Sequence, residues 1–366
     1  MLLFGVSAIT LGAIAQPLRE RFGLDSVGIG KLFSVFPMGV LLGALVFGPV
    51  CDRYGYRHIL IVAALSIGLG LEGLAWLHAM PLLYGAIFLL GFGGGVLNGA
   101  TSGVVNAISQ EHKGANLSIL GIFYSVGAIG MPLMQSWLGR ALGPFQLIGG
   151  LGHFGLAIAL WYGFVPFPGP RAEVVPGAPK WSFLFQPLIL SIALFLLFQA
   201  TVEGCINNWS TTYLTGRGTL GEAQALFGLS VHMAGMTLAR LLAGSVWRDF
   251  SKEKLLWIGL LLLLPGIWGI QATEVLIVWI GLFLAGAGVA LGFPLLLGYI
   301  GERFPQGTAT AFSFVFSAAL VGNMLLNYGM GYVIREFGLG GYPLVFMIGT
   351  AGMALALFQV SRALRH

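Results

Sequence analysis

The sequence predicts an all-α membrane protein: twelve transmembrane helices in two pseudo-symmetric six-helix bundles. Three observations carry that expectation. Hydrophobic residues make up 57% of the 366 and charged residues 8%, where a soluble chain holds about 25% charged, and mean hydropathy is +0.90. Apolar runs close to the ~20 residues that a bilayer demands recur along the whole chain. A single proline-rich polar break leaves six such runs before it and six after.

The runs fall at about 1–18, 28–50, 58–77, 81–108, 114–139 and 143–166, then 183–214, 221–247, 254–272, 274–302, 307–334 and 339–362. The first opens at Met1 with no basic leader and no small-residue cleavage site, so it reads as a spanning helix rather than a cleaved signal. Short charged loops separate the others: Arg19 and Arg21 close the first, Asp52 to Arg57 the second, Glu111 and Lys113 the fourth, Arg140 the fifth. The break itself holds Pro166, Pro168, Pro170, Pro176 and Pro179 with Arg171, Glu173 and Lys180. It cannot bury a core and suits an extended linker. The expected organisation is an N-terminal bundle over 1–166, a cytoplasmic linker over 167–182 and a C-terminal bundle over 183–366. The 57 glycines fit membrane helices, where small residues allow close approach.

Charge sets the orientation. With the N-terminus cytoplasmic, inner loops and tail carry eleven Lys or Arg (Arg53, Arg57, Lys113, Arg171, Lys180, Arg248, Lys252, Lys254, Arg303, Arg362, Arg365) against six outside (Arg19, Arg21, Lys31, Arg140, Arg217, Arg335). That bias places both termini inside, in a cell (inner) membrane. The net charge of +5 comes from these loops and forms no basic stripe, so no nucleic-acid partner is expected. Cys51 and Cys205 fall at opposite depths and read as small apolar residues rather than a disulfide.

The halves echo each other. Ser125-Val-Gly-Ala-Ile-Gly130 in the fifth run aligns with Ser317-Ala-Ala-Leu-Val-Gly322 in the eleventh; at the same offset Gln135 meets Asn327 and Gly139 meets Gly331. Internal repeats of this kind mark secondary transporters, which hold solute near the midplane.

The loop after the second run reads Gly48-Pro-Val-Cys-Asp52-Arg53-Tyr-Gly55-Tyr-Arg57. This resembles the G-x-x-x-D-R-x-G-x-R signature of the major facilitator superfamily, and it sits between the second and third spans, where that family carries it. A degenerate copy, Arg240…Gly244…Arg248-Asp249, follows the eighth run. The resemblance covers the whole chain and implies the major facilitator fold and secondary transport rather than an enzyme. It also implies that Asp52 meets the start of the eleventh helix, near Gln306, whose dipole welcomes an anion. Asp52, Arg53 and Arg57 would then gate the inner side. Glu111 and its counterpart Glu302 are further gate candidates. A pair between Arg240 and Glu302 would neutralise a costly buried cation and make a second inner latch.

The seventh run carries one charged side chain, Glu203. An ionisable residue at membrane depth normally faces a protein interior or a wet cavity and serves an ion or substrate path. Residues four apart share a helix face, so Gln199, Glu203 and Asn207 form a polar stripe. Asn208, Trp209 and Tyr213 follow it. The pattern Glu203-x5-Trp209-x3-Tyr213-Leu214 resembles the seventh helix of fucose permease and related glucose/galactose carriers, which implies a sugar. Those carriers hold an acid in the middle of the fourth helix; here Gly93-Gly-Gly-Val-Leu-Asn98-Gly offers neutral Asn98. Glu203 is therefore the coupling candidate, for a proton or sodium, with no other cofactor. Gln16, Asn98, Tyr124, His232, Asn323 and Asn327 complete the candidate substrate-binding set. Glu72, near the end of the third run, reads as a solvated side chain.

No G-x-x-x-x-G-K-[ST] loop occurs, which argues against ATP-driven pumping, and no His/Cys/Asp cluster has metal-ligand spacing. The expected function is symport of a small polar solute, a sugar first, by a monomer working through alternating access. The alternative is a drug/proton antiporter of the same fold, suggested by the 27 phenylalanines and opposed by the polar seventh helix.

Overall fold

The computed structural model describes residues 1–109, 113–169, 181–247, 249–304 and 308–365, and it is helical throughout. The chain forms two compact units, Met1–Val175 and Pro176–His366. The N-terminal unit holds α1 (Leu2–Ala13), α2 (Ala15–Phe22), α3 (Ser26–Tyr54), α4 (Tyr56–Trp76), α5 (Met80–Ile108), α6 (Lys113–Leu142) and α7 (Pro144–Tyr162). The C-terminal unit holds α8 (Pro187–Gly216), α9 (Glu222–Gly244), α10 (Lys252–Ile270), α11 (Val275–Val289), α12 (Gly292–Arg303), α13 (Thr308–Phe337) and α14 (Gly341–Arg365).

Two spans differ from continuous helices. The first is bent by 55° between α1 and α2. Pro17 has no N–H to give the carbonyl four residues back, that of Ala13, so the ladder opens there. The tenth is interrupted between α11 and α12, where Ala290 and Leu291 keep right-handed helical dihedrals (φ −62°, ψ −33° and φ −92°, ψ −21°). Pro294 is the cause: its missing N–H leaves the carbonyl of Ala290 without an intrahelical donor. The apolar stretch Thr310–Leu364 holds two helices, α13 and α14, joined by a turn at Gly338 (φ +63°). Counting the bent pair and the interrupted span once each, the described residues make twelve crossings.

Three of the main pairings recur in both units. In the N-terminal unit α1 packs on α6, α3 on α5, α4 on α5 and α4 on α7. In the C-terminal unit the equivalent pairs are α8 on α13, α9 on α11 and α10 on α11, but the last helix differs: α14 packs chiefly on α8 and only lightly on α10. Glycine sets the closest of these approaches. A Cβ added at Gly39 or Gly43 of α3, or at Gly91 or Gly95 of α5, would be driven into a carbonyl oxygen of the facing helix. Such backbone contact supplies the dispersion that holds membrane helices together.

Each unit also has a cationic cap. Arg21 Nη1 donates to the carbonyls of Ala75 (2.7 Å) and Leu74 (3.4 Å) at the end of α4. Arg217 Nη1 donates to the carbonyl of Gln271 (3.1 Å) at the end of α10. Helix C-termini offer unpaired carbonyls and the negative end of the dipole, so an arginine suits both.

Candidate functional site

The polar centre of the C-terminal unit forms around the interruption of the tenth span. Gln199 on α8 is fully buried and its Nε2 donates to the carbonyl of Val289 (2.7 Å). Gly292 makes this possible, because any Cβ there would collide with the Gln199 amide. Arg240 on α9 donates from Nε to the carbonyl of Ala290 (3.2 Å), the acceptor that Pro294 leaves free. One turn above Gln199 stands Glu203, half-buried, on the same face of α8. Asn207 continues the face. Among the described residues the buried Gln199 Oε1 and Asn207 Oδ1 atoms have no hydrogen-bond partner, so two acceptors flank the carboxylate on one helix stripe. The arrangement sets a carboxylate and a guanidinium at membrane depth, and among the described residues the guanidinium's fork is only partly used.

Several expected ligand groups are instead engaged between helices. Asn327 on α13 is fully buried; its Oδ1 accepts from Asn208 Nδ2 (3.0 Å) and Trp209 Nε1 (3.1 Å). Its Nδ2 donates to the Asn323 backbone carbonyl (2.9 Å) and to Asn323 Oδ1 (2.7 Å). Asn323 Nδ2 in turn reaches the Ala200 carbonyl (3.1 Å). Asn208, Trp209, Asn323 and Asn327 thus tie α8 to α13, because buried amides and an indole must find partners. His232 is fully buried against the Leu282 carbonyl (3.2 Å) and packs α9 on α11. Tyr213 stacks on Tyr342, with centroids 4.4 Å apart.

In the N-terminal unit Gln16 donates to Glu20 (2.6 Å), Tyr124 lies beside Phe4 (5.3 Å between centroids) and Asn98 is half-buried on α5. Glu72 is not a solvated side chain: only 17% exposed, it accepts from Trp76 Nε1 (2.8 Å) and meets His153 Nδ1 (2.9 Å). Trp76, one turn along α4, reaches back over it.

The gate residues are placed as follows. Arg57 donates to the Gly163 carbonyl at the end of α7, a helix terminus rather than a carboxylate or a phosphate. Arg53 is exposed and lies over the Tyr54 ring (5.3 Å). Only Gly55 (φ +78°) breaks the helix in this motif. The Asp52 side chain, Glu111 and Gln306 lie outside the described residues. The Arg240–Glu302 latch does not form: Glu302 pairs with Lys252, and Arg240 is drawn to the carbonyl that Pro294 exposes. Sequence reasoning missed this role of Arg240. The signal was Gly292-Phe-Pro294 in the middle of the tenth run, together with an arginine inside the eighth.

Twelve crossings in two like units, one with a charged centre at membrane depth, define a multi-pass solute carrier. The model of the Major Facilitator Superfamily matches residues 1–246, and the chain belongs to that family. It is 23% identical to the inner membrane transport protein YdiN of Escherichia coli (strain K12), over 91% of this chain and 83% of that one. It is 25% identical to the 3-(3-hydroxy-phenyl)propionate transporter of the same organism, over 91% of this chain and 86% of that one. The crystal structure of a D-xylose-proton symporter shares the fold, with a TM-score of 0.80 and 16% identity over 98% of this chain and 94% of that one. These relatives are transporters, not enzymes.

Proposed function

We propose that the chain is a secondary carrier of a small polar solute, coupled to a proton at Glu203. The observation that carries this reading is the half-buried Glu203 on the α8 stripe whose Gln199 meets the interrupted tenth span, where Arg240 is anchored to the Ala290 carbonyl. While Glu203 is ionised, the two charges offset each other. Once Glu203 takes a proton, Arg240 loses its counter-charge and its free N–H groups suit a solute acceptor. Proton and solute then favour the same state, which is the linkage that symport needs. Sodium is the weaker choice, because a guanidinium beside the carboxylate repels a second cation.

For the solute, Arg240 favours a small organic anion, since an arginine fork matches a carboxylate. A relative named for an aromatic propionate agrees. A sugar is the second reading, supported by the Gln199–Glu203–Asn207 stripe and by a structural neighbour named for D-xylose and proton. Asn208, Trp209 and Asn327 do not add to it, because their hydrogen bonds are used within the unit. The drug antiporter is disfavoured by the charged centre. Alternating access, both termini cytoplasmic and an inner-membrane location complete the proposal.

Counterflow in proteoliposomes tests it, with monosaccharides and short aromatic and aliphatic carboxylates as the panel. Exchange of a carboxylate with proton uptake is expected. Exchange of sugars alone would overturn the anion reading. Resistance to dyes on expression, with no exchange of either class, would move the chain to the antiporters.

A further inference from the structure

At one end of the C-terminal unit the start of α8 and the ends of α12 and α14 enclose a cleft of about 650 Å³. Its rim carries Arg303, Arg362, Gln186 and Gln359, and its wall carries Leu190 and Leu194. Both arginines are exposed, and among the described residues neither forms an ion pair: Glu302, beside Arg303, is taken by Lys252. Two cations without counter-ions face a shared hollow, so an anion is the missing partner. The wall says which kind. Leu190 and Leu194 are 41% and 39% exposed, one turn apart on α8, and Leu355 and Phe358 of α14 are 67% and 62% exposed. An apolar surface runs from the charged rim along the helices, as a ligand with a charged head and hydrocarbon tails requires. A free phosphate would use the rim and leave the wall bare.

We propose that this cleft is a binding site for an anionic phospholipid, with the phosphate between Arg303 and Arg362, Gln186 and Gln359 at the headgroup, and an acyl chain along Leu190 and Leu194. Basic pockets between helices at the membrane surface are the usual seat of such headgroups. The site is separate from the Glu203–Arg240 centre, so the proposal stands apart from the solute assigned above.

The test uses the delipidated full chain in detergent, titrated with phosphatidylglycerol and, separately, phosphatidylcholine, reading bound lipid by native mass spectrometry and thermal stability. Phosphatidylglycerol is expected to bind more tightly and to stabilise. Arg362→Gln should weaken it about fivefold, and Arg303→Gln with Arg362→Gln roughly 25-fold, taking about fivefold per basic residue. Arg335→Gln, at a residue paired with Glu336, should leave binding unchanged and serves as the control. If the double variant does not fold, the fivefold loss in Arg362→Gln carries the test. Equal binding of the two lipids, retention of the preference in the variants, or the same stabilisation by inorganic phosphate would overturn the proposal.

Discussion

Arg240 donates from Nε to the carbonyl of Ala290 at 3.2 Å, and that carbonyl is available because the residue four places on is Pro294. A proline in the tenth span therefore fixes the position of a guanidinium on the eighth. Pro294→Ala restores an N–H that competes for Ala290. The helix should gain stability, up to about 3 kcal/mol on the intrinsic scale, while Arg240 loses its anchor. Melting temperature should rise and solute exchange should slow. A variant with raised stability and unchanged exchange would detach Arg240 from transport.

How far the sequence reached can be judged at this same centre. Run length and polarity gave the crossings, because a bilayer imposes both. Helical spacing put Gln199, Glu203 and Asn207 on one face. The same spacing turns Asn208 and Trp209 by ~100° and ~200° from Asn207, towards α13, where both bond to Asn327. In a helix apolar nearly all round, no hydrophobic stripe marks the packed side, and residue type alone made the two look like ligands. Glu72 was misread for a related reason: its partner His153 lies on α7, and that pairing exists only in three dimensions.

The caps at Arg21 and Arg217 make matching predictions for the two units. Each removes unpaired carbonyls at the end of the third or ninth crossing. Substitution by alanine should cost about 0.3–1 kcal/mol, and up to ~2 kcal/mol for half-buried Arg21. Hydrogen exchange should quicken at the end of α4 in Arg21→Ala and at the end of α10 in Arg217→Ala, each without effect on the other unit. Faster exchange spread over both units would refute the local role.

Two glycines of α5 should respond to alanine with opposite signs. At Gly95 the new methyl meets the Val40 carbonyl of α3, while at Gly85 it meets nothing within 4 Å. Gly95→Ala forces the helices apart, at about 1–3 kcal/mol for overpacking. Gly85→Ala gains about 0.5–1 kcal/mol from helix propensity. Thermal melts of the two variants in one detergent decide it; a neutral Gly95→Ala would mean that α3 and α5 can separate freely.

Asn327→Ala removes the acceptor that Asn208 Nδ2 and Trp209 Nε1 share inside the C-terminal unit. Hydrogen bonds between membrane helices average ~0.6 kcal/mol each, so the loss of two should cost on the order of 1–2 kcal/mol. Because these groups pack α8 on α13, solute affinity in the surviving folded protein should hold. An unchanged melting temperature with weakened solute binding would return Asn327 to the list of ligand contacts.

Glu203→Gln separates coupling from passage. Glutamine keeps the size and an acceptor but can neither lose nor take up a proton, so Arg240 always stands without its counter-charge. Solute binding and exchange should persist, and exchange should lose its dependence on external pH. Accumulation should fail: a gradient of about one pH unit stores about 1.4 kcal/mol, enough for ~tenfold uphill movement at one proton per solute, and the variant has no group to draw on it. Arg240→Gln should instead lose binding itself, by about tenfold or more if one charge-assisted bond to the solute goes. Uphill accumulation by Glu203→Gln at the wild-type level would remove the carboxylate from the coupling step and leave Arg240 as a solute contact alone.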